Sequence, residues 1–301
     1  MESEIVGFFN NLIIHNMGIK KEVVTIGMFD GVHAGHKEVL KTAVNYAHES
    51  GVRSTAITFD HIPKNSYGAI TTLEEKIALI RKSGIDNVKI LPFEKIKNIP
   101  PEIFCRKYLK NNAVVILGYN FRFGKGRSGD TDTVKNYSAV VVVIKPVKYK
   151  NRVVSSTLIK KLLISGDIKN ANKYLNRNYG FSGIAVKGFG IGRKLGYPTI
   201  NMRVPFGKIL PEGIFASFTS VNGRKYKSAT YIGKKPTFGT GITTVETHII
   251  SRRKIPGGSN LFVELLLKIR NDRKFASLPG LAKQIEKDIS ACKKYFSGID
   301  R

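Results

Sequence analysis

The stretch VVTIGMFDGVHAGHKEVL, residues 23–40, decides the architecture of the first half of the chain. It opens on an apolar run of strand length, VVTIGMF (23–29). It then turns through Asp30 and Gly31 and resumes with helical spacing, because Val39, Leu40, Ala43, Val44 and Ala47 recur along HKEVLKTAVNYAHES. Between the two periods lies His33-x-Gly35-His36. Gly27 and Gly31 permit a tight turn and the close approach of a ligand. A helix start offers unpaired N–H groups and the positive end of the helix dipole, so it attracts phosphate. Two imidazoles there can donate hydrogen bonds to a phosphate chain. The chemistry that suits such a turn is nucleotidyl transfer, in which a phosphate oxygen attacks the α-phosphorus of ATP and pyrophosphate leaves. Positioning and charge stabilisation supply most of that catalysis without a protein nucleophile. Standing alone, H-x-G-H is weak evidence, and the competing reading is a loop with two surface histidines. Its place after a strand, before a helix and beside two glycines favours the phosphate site.

Working outward, four more apolar runs follow: STAITF (54–59), NVKILPF (87–93), AVVILGY (113–119) and AVVVVIKPV (139–147). They are nearly continuous in apolar character, as strands buried on both faces should be. TLEEKIALIRKS and PPEIFCRKYLKN fill two of the gaps as helices, and Pro100 or Pro101 suits a helix start. This alternation predicts a parallel α/β sheet. Two stretches extend the candidate site. LGYNFRFGKGRSGD (117–130) follows the fourth strand and offers Asn120 for polar recognition, Arg122, Lys125 and Arg127 for phosphates, and Phe121 and Phe123 for a flat ring, although standing alone it reads equally well as an ordinary basic loop. VSSTLIKK (154–161) sets Ser155, Ser156 and Thr157 before an apolar helical pattern. Those hydroxyls can cap the helix or hold a leaving pyrophosphate.

Near residue 176 the character changes to short strands separated by Gly, Pro and Asn turns: FSGIAVKG, GIFASFTSVNG, RKYKSATYIG, TTVETHII and NLFVELLLKI. Asn222-Gly223 is a hairpin signal. The pattern predicts a small antiparallel barrel, closed by a helix whose stripe is Leu281, Ile285, Ile289, Cys292 and Phe296. The segment SSTLIKKLLISGDIKNANKYL bridges the halves as a short helical stretch. The fold class is therefore α/β plus all-β, with the boundary placed between residues 1–175 and 176–301.

The second half holds its own candidate site. GFGIGRKLGYPTIN (188–201) brings three closely spaced glycines, Gly188, Gly190 and Gly192, which can wrap phosphates with backbone N–H groups. Thr199 and Asn201 alternate on an extended segment and so share one face, where their oxygens could bind Mg²⁺. The competing reading is a barrel turn with incidental polar residues. Glu246 lies within an apolar strand, where a carboxylate could take a proton from a substrate hydroxyl. Equally, it could sit on the exposed face of an edge strand. His248, two residues on, reads best as a structurally satisfied histidine.

Composition bounds the partners. At roughly 150 residues per domain, 301 residues make about two domains. The formal charge is +28, which attracts polyanions and steers anionic ligands. The lysines form no block and no basic tail, and no base-reading module is present, so they read as a solvated surface with no specific nucleic-acid partner. No stretch is long and apolar enough to span a bilayer, and MESEIVGFFNN lacks the basic start of a signal peptide. Cys105 and Cys292 stand far apart in sequence, which fits a reducing, cytoplasmic setting.

Taken together, GMFDGVHAGH, NFRFGKGRSGD, SSTLIKK, RKLGYPTIN and the C-terminal KFASLPGLAKQIEKDISACK occur in the order found in the bacterial bifunctional riboflavin kinase/FMN adenylyltransferase family, which the chain resembles over residues 20 to 298. The resemblance implies a Rossmann-like nucleotidyltransferase domain followed by a riboflavin kinase-like barrel. It implies ATP as co-substrate, Mg²⁺ as cofactor, riboflavin and FMN as substrates, and FMN and FAD as products. In the adenylyltransferase site it assigns Gly27, Phe29, His33, Gly35, His36, Asn120, Ser156, Thr157 and Lys160 to ATP. In the kinase it assigns Gly188, Gly190, Gly192, Lys194, Pro198, Thr199 and Asn201 to ATP, with Thr199 and Asn201 on the metal and Glu246 as base toward the ribityl 5′-hydroxyl. Arg270, Phe275, Asn120 and Arg122 join Glu246 on the flavin side. A monomer or weak oligomer is expected. The chain departs from the family pattern at Lys160 and Ile191, where arginine is common, at TFDHIP (58–63), and at SRRKIPGGSN (251–260). The last change motivates an alternative, an FMN adenylyltransferase with a weakened kinase half. The net charge motivates another, a basic nucleic-acid-binding or flavin-sensing regulator, which the full set of candidate catalytic residues disfavours.

Overall fold

The computed structural model describes residues 22–60, 68–109, 114–138, 140–234, 243–251 and 255–299. The N-terminal segment, His61 to Pro63 of the TFDHIP loop, Ala113, Ala139 and residues 252–254 of the 251–260 loop lie outside the described residues. Contacts group the described chain into two units. The first holds residues up to 60 and 71–156, and the second holds 68–70 and 157–299.

The first unit runs β1 (Glu22–Ile26), α1 (Ala34–Glu49), β2 (Arg53–Phe59), α2 (Leu73–Lys82), β3 (Asn87–Leu91), α3 (Phe93–Ile96), α4 (Pro101–Tyr108), β4 (Val114–Gly118), α5 (Thr131–Lys135), β5 (Val140–Ile144), and a small hairpin of β6 (Lys148–Tyr149) and β7 (Arg152–Val153). The five main strands form a parallel sheet in the order β3-β2-β1-β4-β5. Alternating side chains serve two cores. Val23, Val114 and Ile116 pack with Leu40, Ala43 and Ile80 on one face. Val24, Val115 and Leu117 pack with Phe104, Cys105 and Leu109 on the other. The expected burial on both faces holds for β1, β2 and β4 but fails for β3 and β5. These are the sheet edges, where helix cover is incomplete and Ile90 and Val143 are exposed.

The chain winds outward from β1 to β3, then returns to the other side of β1 as β4 and β5. The reversal between β1 and β4 is a topological switch point, and the crevice beyond the carboxyl ends of such strands is where ligands bind. The loops after β1 and β4 are the two that the sequence marked. Helix starts agree with their caps. Pro101 takes the first position of α4, and Thr72 and Glu75 form a reciprocal capping box on α2.

The second unit comprises α6 (Ser156–Ser165, from Thr157 on), α7 (Ile168–Leu175), β8 (Tyr179–Val186), α8 (Ile191–Lys194), β9 (Ile200–Arg203), β10 (Gly213–Val221), β11 (Arg224–Lys234), β12 (Thr243–Ile249), β13 (Asn260–Arg270) and α9 (Leu278–Ile299). The helical bridge is thus two helices. Gly166, at φ 78°, separates them, and Asp167 caps the second through the Asn170 N–H. The six strands close into a barrel in the order β10-β11-β12-β9-β8-β13, with β13 returning to β10. Asn222 (φ 47°) and Gly223 (φ 75°) make the β10–β11 turn in the left-handed conformations that a two-residue hairpin demands.

One face of the barrel strands buries Phe181, Phe215, Val263 and Leu265 together with a hydroxyl network. The Ser217 hydroxyl lies 2.8 Å from that of Ser228 and 2.7 Å from that of Thr230, and Thr230 continues to Thr247. Burial of these groups is tolerable because each has a partner. The opposite face presents Ala216, Ala229 and Leu266 to Ile289, Cys292 and Phe296 of α9. Cys105 and Cys292 are buried free thiols, one in each unit. Phe215 is fully buried, so Phe215→Ala should destabilise the barrel by about 3–5 kcal/mol, read as a lowered urea midpoint by far-UV circular dichroism.

Candidate active sites

In the first unit, the turn between β1 and α1 is unusually constrained. Phe29 (φ 48°), Gly31 (φ 83°) and Val32 (φ 37°) all take positive φ. For a β-branched residue such as Val32 this stores roughly 1–3 kcal/mol, which the surroundings must hold. They do so on every side. Val32 is fully buried, the Gly31 N–H donates to the Thr71 hydroxyl (3.1 Å), and the Thr71 N–H donates to the Asp30 carboxylate (3.2 Å). The Ser156 hydroxyl donates to the Asp30 carbonyl (2.9 Å), so the start of the SSTLIKK motif rests on the first turn.

His33 is the N-cap of α1, whose first residue, Ala34, lies two residues before the apolar pattern HKEVLK begins at His36. Its Nδ1 accepts from the His36 N–H (3.3 Å), which places the proton of the neutral ring on Nε2 and makes that nitrogen the donor. The His33 and His36 rings stack at 3.6 Å, and Phe29 meets His36 edge-on at 5.3 Å. A Cβ on Gly35 would come within 3.3 Å of the His33 ring, so a glycine there gives the stack its room. Phe29 itself is 2% exposed, and its ring belongs to the core. Only its backbone and that of Gly27 can face a nucleotide.

The structure places the remaining candidates unevenly. Asn120 is exposed in the loop after β4, at the switch point. Arg122 is ion-paired with Asp130 (2.8 Å), and the Thr133 backbone N–H and hydroxyl, followed by Arg122, hold the Asp130 carboxyl below the usual range. Phe123 is buried against Phe104 and cannot stack on a ligand, whereas Phe121 lies above it, only partly buried. Thr157 and Lys160 belong to the second unit, where the Lys160 ammonium donates to the Gly68 carbonyl (2.8 Å).

In the second unit, β9 and β12 pair so that Asn201 stands opposite Glu246. The Thr199 hydroxyl donates to the Glu246 carboxylate (3.1 Å). Glu246 therefore lies in the wall of a closed barrel and not on an edge strand. The glycine loop is packed on this cluster. A Cβ on Gly188 would fall 2.0 Å from the Asn201 amide, and Gly190 is left-handed at φ 72°. Gly190, Gly192, Thr199, Asn201, Glu246, Arg270 and Phe275 line one cleft of about 270 Å³. Lys194 and Pro198 are exposed outside its lining, and the Pro198 carbonyl is bonded to His248 Nδ1 (2.9 Å). His248 thus has a backbone partner, and it also lines the cleft.

Helix α9 supplies the far wall. Leu281 and Ile285 of its apolar stripe line the cleft, while Cys292 and Phe296 enter the core. Arg270 grips Asp288 with two bonds (2.8 and 2.7 Å), and Gln284 donates to the same carboxylate (2.7 Å). The guanidiniums of Arg270 and Arg273 lie 5.8 and 4.8 Å from the Phe275 ring centre, which fixes the ring by cation–π attraction. Tyr231 was not legible as a site residue. It lines the cleft beside Glu246 and donates to Asp272 (3.0 Å), and burial with that carboxylate raises its hydroxyl far above the usual value. Among the described residues, no three His, Cys, Asp or Glu side chains are grouped to hold a metal ion, and no helix is long and apolar enough to cross a membrane.

A parallel sheet with a histidine-capped turn at its switch point, joined to a barrel with a glycine-lined carboxylate cleft, is the make-up of a two-domain transferase. Family models agree with both halves: residues 15–158 match FAD synthetase and residues 175–296 match riboflavin kinase. The chain belongs to the bifunctional riboflavin kinase/FMN adenylyltransferase family. The relative from Bacillus subtilis is 30% identical over 93% of this chain and 94% of its own length. That from Buchnera aphidicola subsp. Schizaphis graminum is 33% identical over 95% and 98%. A solved structure described as a macrolide-efflux protein from Streptococcus pneumoniae superposes with a TM-score of 0.83 at 26% identity, covering 93% of this chain and 96% of that one. The chain thus carries two activities, riboflavin kinase and FMN adenylyltransferase. Because no side chain fits at position 188 without displacing Asn201, Gly188→Ala should lower FMN formation from riboflavin about tenfold or more while FAD formation from supplied FMN is kept, measured in separate product assays.

Proposed function

We propose that the two activities divide between the halves at residues 1–175 and 176–301, each with its own ATP site. What supports this is that each half gathers its own polar cluster: His33 and His36 on a strained turn, and Thr199, Asn201 and Glu246 across two paired strands. In the kinase, the Glu246 carboxylate takes the proton of the ribityl 5′-hydroxyl. The freed oxygen attacks the γ-phosphorus of ATP, and ADP leaves. Gly188, Gly190 and Gly192 bring backbone to the phosphates, with Lys194 and Pro198 bordering them. Phe275, held by Arg270, packs on the flavin. The hydroxyl of Thr199, the amide of Asn201 and the neighbouring carboxylate are hard oxygen donors and suit Mg²⁺. When bound, Mg²⁺ neutralises charge on the ATP phosphates.

In the adenylyltransferase, an FMN phosphate oxygen attacks the α-phosphorus of ATP and pyrophosphate leaves. His33 and His36 donate to the phosphate chain, while Gly27, Phe29 and Gly35 contribute backbone at the turn. Asn120 orients substrate. Arg122 reaches a phosphate by exchanging Asp130 for it, and Ser156 stands at the turn where the pyrophosphate leaves. We read the chain as a cytoplasmic enzyme, monomeric or weakly associating, whose partners are riboflavin, FMN and ATP. Its positive charge serves solvation and anion steering and no nucleic-acid face. Two substitutions test the division. Glu246→Gln should abolish FMN formation and spare FAD formation from FMN, and His36→Ala should do the reverse. Equal damage to both activities by either change in folded protein would refute the assignment.

A further inference from the structure

Lys76 is the most deeply buried lysine of the described residues, 1% exposed inside α2. A lysine there opposes folding. Desolvation pushes its ammonium down to about 8, although the carboxylates of Asp30 and Asp60 act in the other direction. Below that pH the charged form is held at a cost in stability. The cost fades as pH rises from about 8 toward the ordinary lysine value of 10.5. An apolar side chain of similar volume would spare that cost, so the charge calls for another explanation.

Its surroundings supply one. The ammonium donates to the carbonyl of Phe59, the last residue of β2 (2.7 Å). Asp60, next in the chain, donates its N–H to Leu91 and accepts from the Phe93 N–H (2.9 Å), which ties this strand end to β3. The other carboxylate that acts on Lys76 is Asp30, 4% exposed, in the turn that leads to His33. Thr71, just ahead of α2, holds the same turn through Gly31 and Asp30. The lead-in to the helix therefore holds the β1 turn through the hydrogen bonds of Thr71, and Lys76 within the helix holds the end of β2 through its bond to Phe59, with the Asp30 carboxylate favouring its charge.

We propose that Lys76 is a positioning residue for adenylyl transfer, holding the Asp30 turn and the end of β2 so that the His33–His36 pair stays aimed at the phosphates. This rests on the assignment of that pair to nucleotidyl transfer, which His36→Ala tests on its own. Lys76 touches neither substrate nor reacting atoms and acts through the turn. Its loss should therefore appear in kcat and much less in the KM for ATP or FMN.

The experiment uses the full chain and measures FAD formation from FMN and FMN formation from riboflavin on the same preparations. Lys76→Met should lower kcat for FAD formation by about 10- to 100-fold and leave the kinase unchanged. Lys76→Arg, which keeps the charge, should recover a large part of that loss. Arginine does not deprotonate in this range, so the ratio of wild-type to Lys76→Arg FAD turnover should fall as pH rises through about 8. The charged groups that act on position 76 are Asp30 after β1 and Asp60 after β2. A folded Lys76→Met protein with FAD turnover within about threefold of wild type would overturn the proposal. If Lys76→Met fails to fold in the first unit, the pH comparison decides, and parallel profiles for wild type and Lys76→Arg would overturn it. If His36→Ala leaves FAD formation intact, the assignment of the turn falls and the Lys76 measurements stand apart from it.

Discussion

On the barrel, Asn201 stands opposite Glu246 because β9 and β12 pair in one register, with Met202 on Val245 and Ile200 on Thr247. A slip of one residue would bring Ile200 or Met202 opposite the carboxylate and turn the polar face inward. Closure of the barrel from β13 back to β10 removes the free edge along which such a slip could occur. Register is thus the constraint from which the kinase cluster follows. The same constraint governs the sheet. β1 is bonded on both sides, Thr25 to Ala56 and to Ile116, and this fixes where its chain must turn.

Once the strands are fixed, both candidate sites hold backbone where side chains would intrude. In the sheet unit the cost is strain at Phe29 and Val32, supported by Thr71, Ser156 and the core around Val32. In the barrel the cost is the loss of any side chain at Gly188, which lies on Asn201. On the proposed assignment, neither centre calls for a covalent nucleophile. Rigid donors and one half-buried carboxylate suffice when the reaction is an in-line transfer between bound phosphates.

Much of this was legible in the residues. The strand–helix alternation, the Asn222-Gly223 hairpin and the helix stripe ending in Phe296 are local patterns, and local patterns survive folding. What escaped depends on contacts between distant segments. The exposure of β3 and β5 follows from their place at the sheet edges, which no single strand announces. β9 is too short to be more than an extended segment until β12 and β8 pair with it. Phe123 has the composition of a ligand-stacking residue, yet Phe104 claims it for the core. Arg122 and Arg270 read as anion or flavin contacts, and the structure gives them carboxylate partners at Asp130 and Asp288. Tyr231 and Lys76 looked like ordinary strand and helix residues, because burial beside a charge cannot be seen along the chain.

The central claim is that one chain holds two independent triphosphate sites, one in each half. Calorimetric titration of the intact chain with a non-hydrolysable ATP analogue in Mg²⁺ tests it most directly. The account expects two equivalents bound per chain, with one equivalent lost in His36→Ala and the other retained. A single equivalent in the unaltered protein, or loss of both on that one substitution, would contradict it.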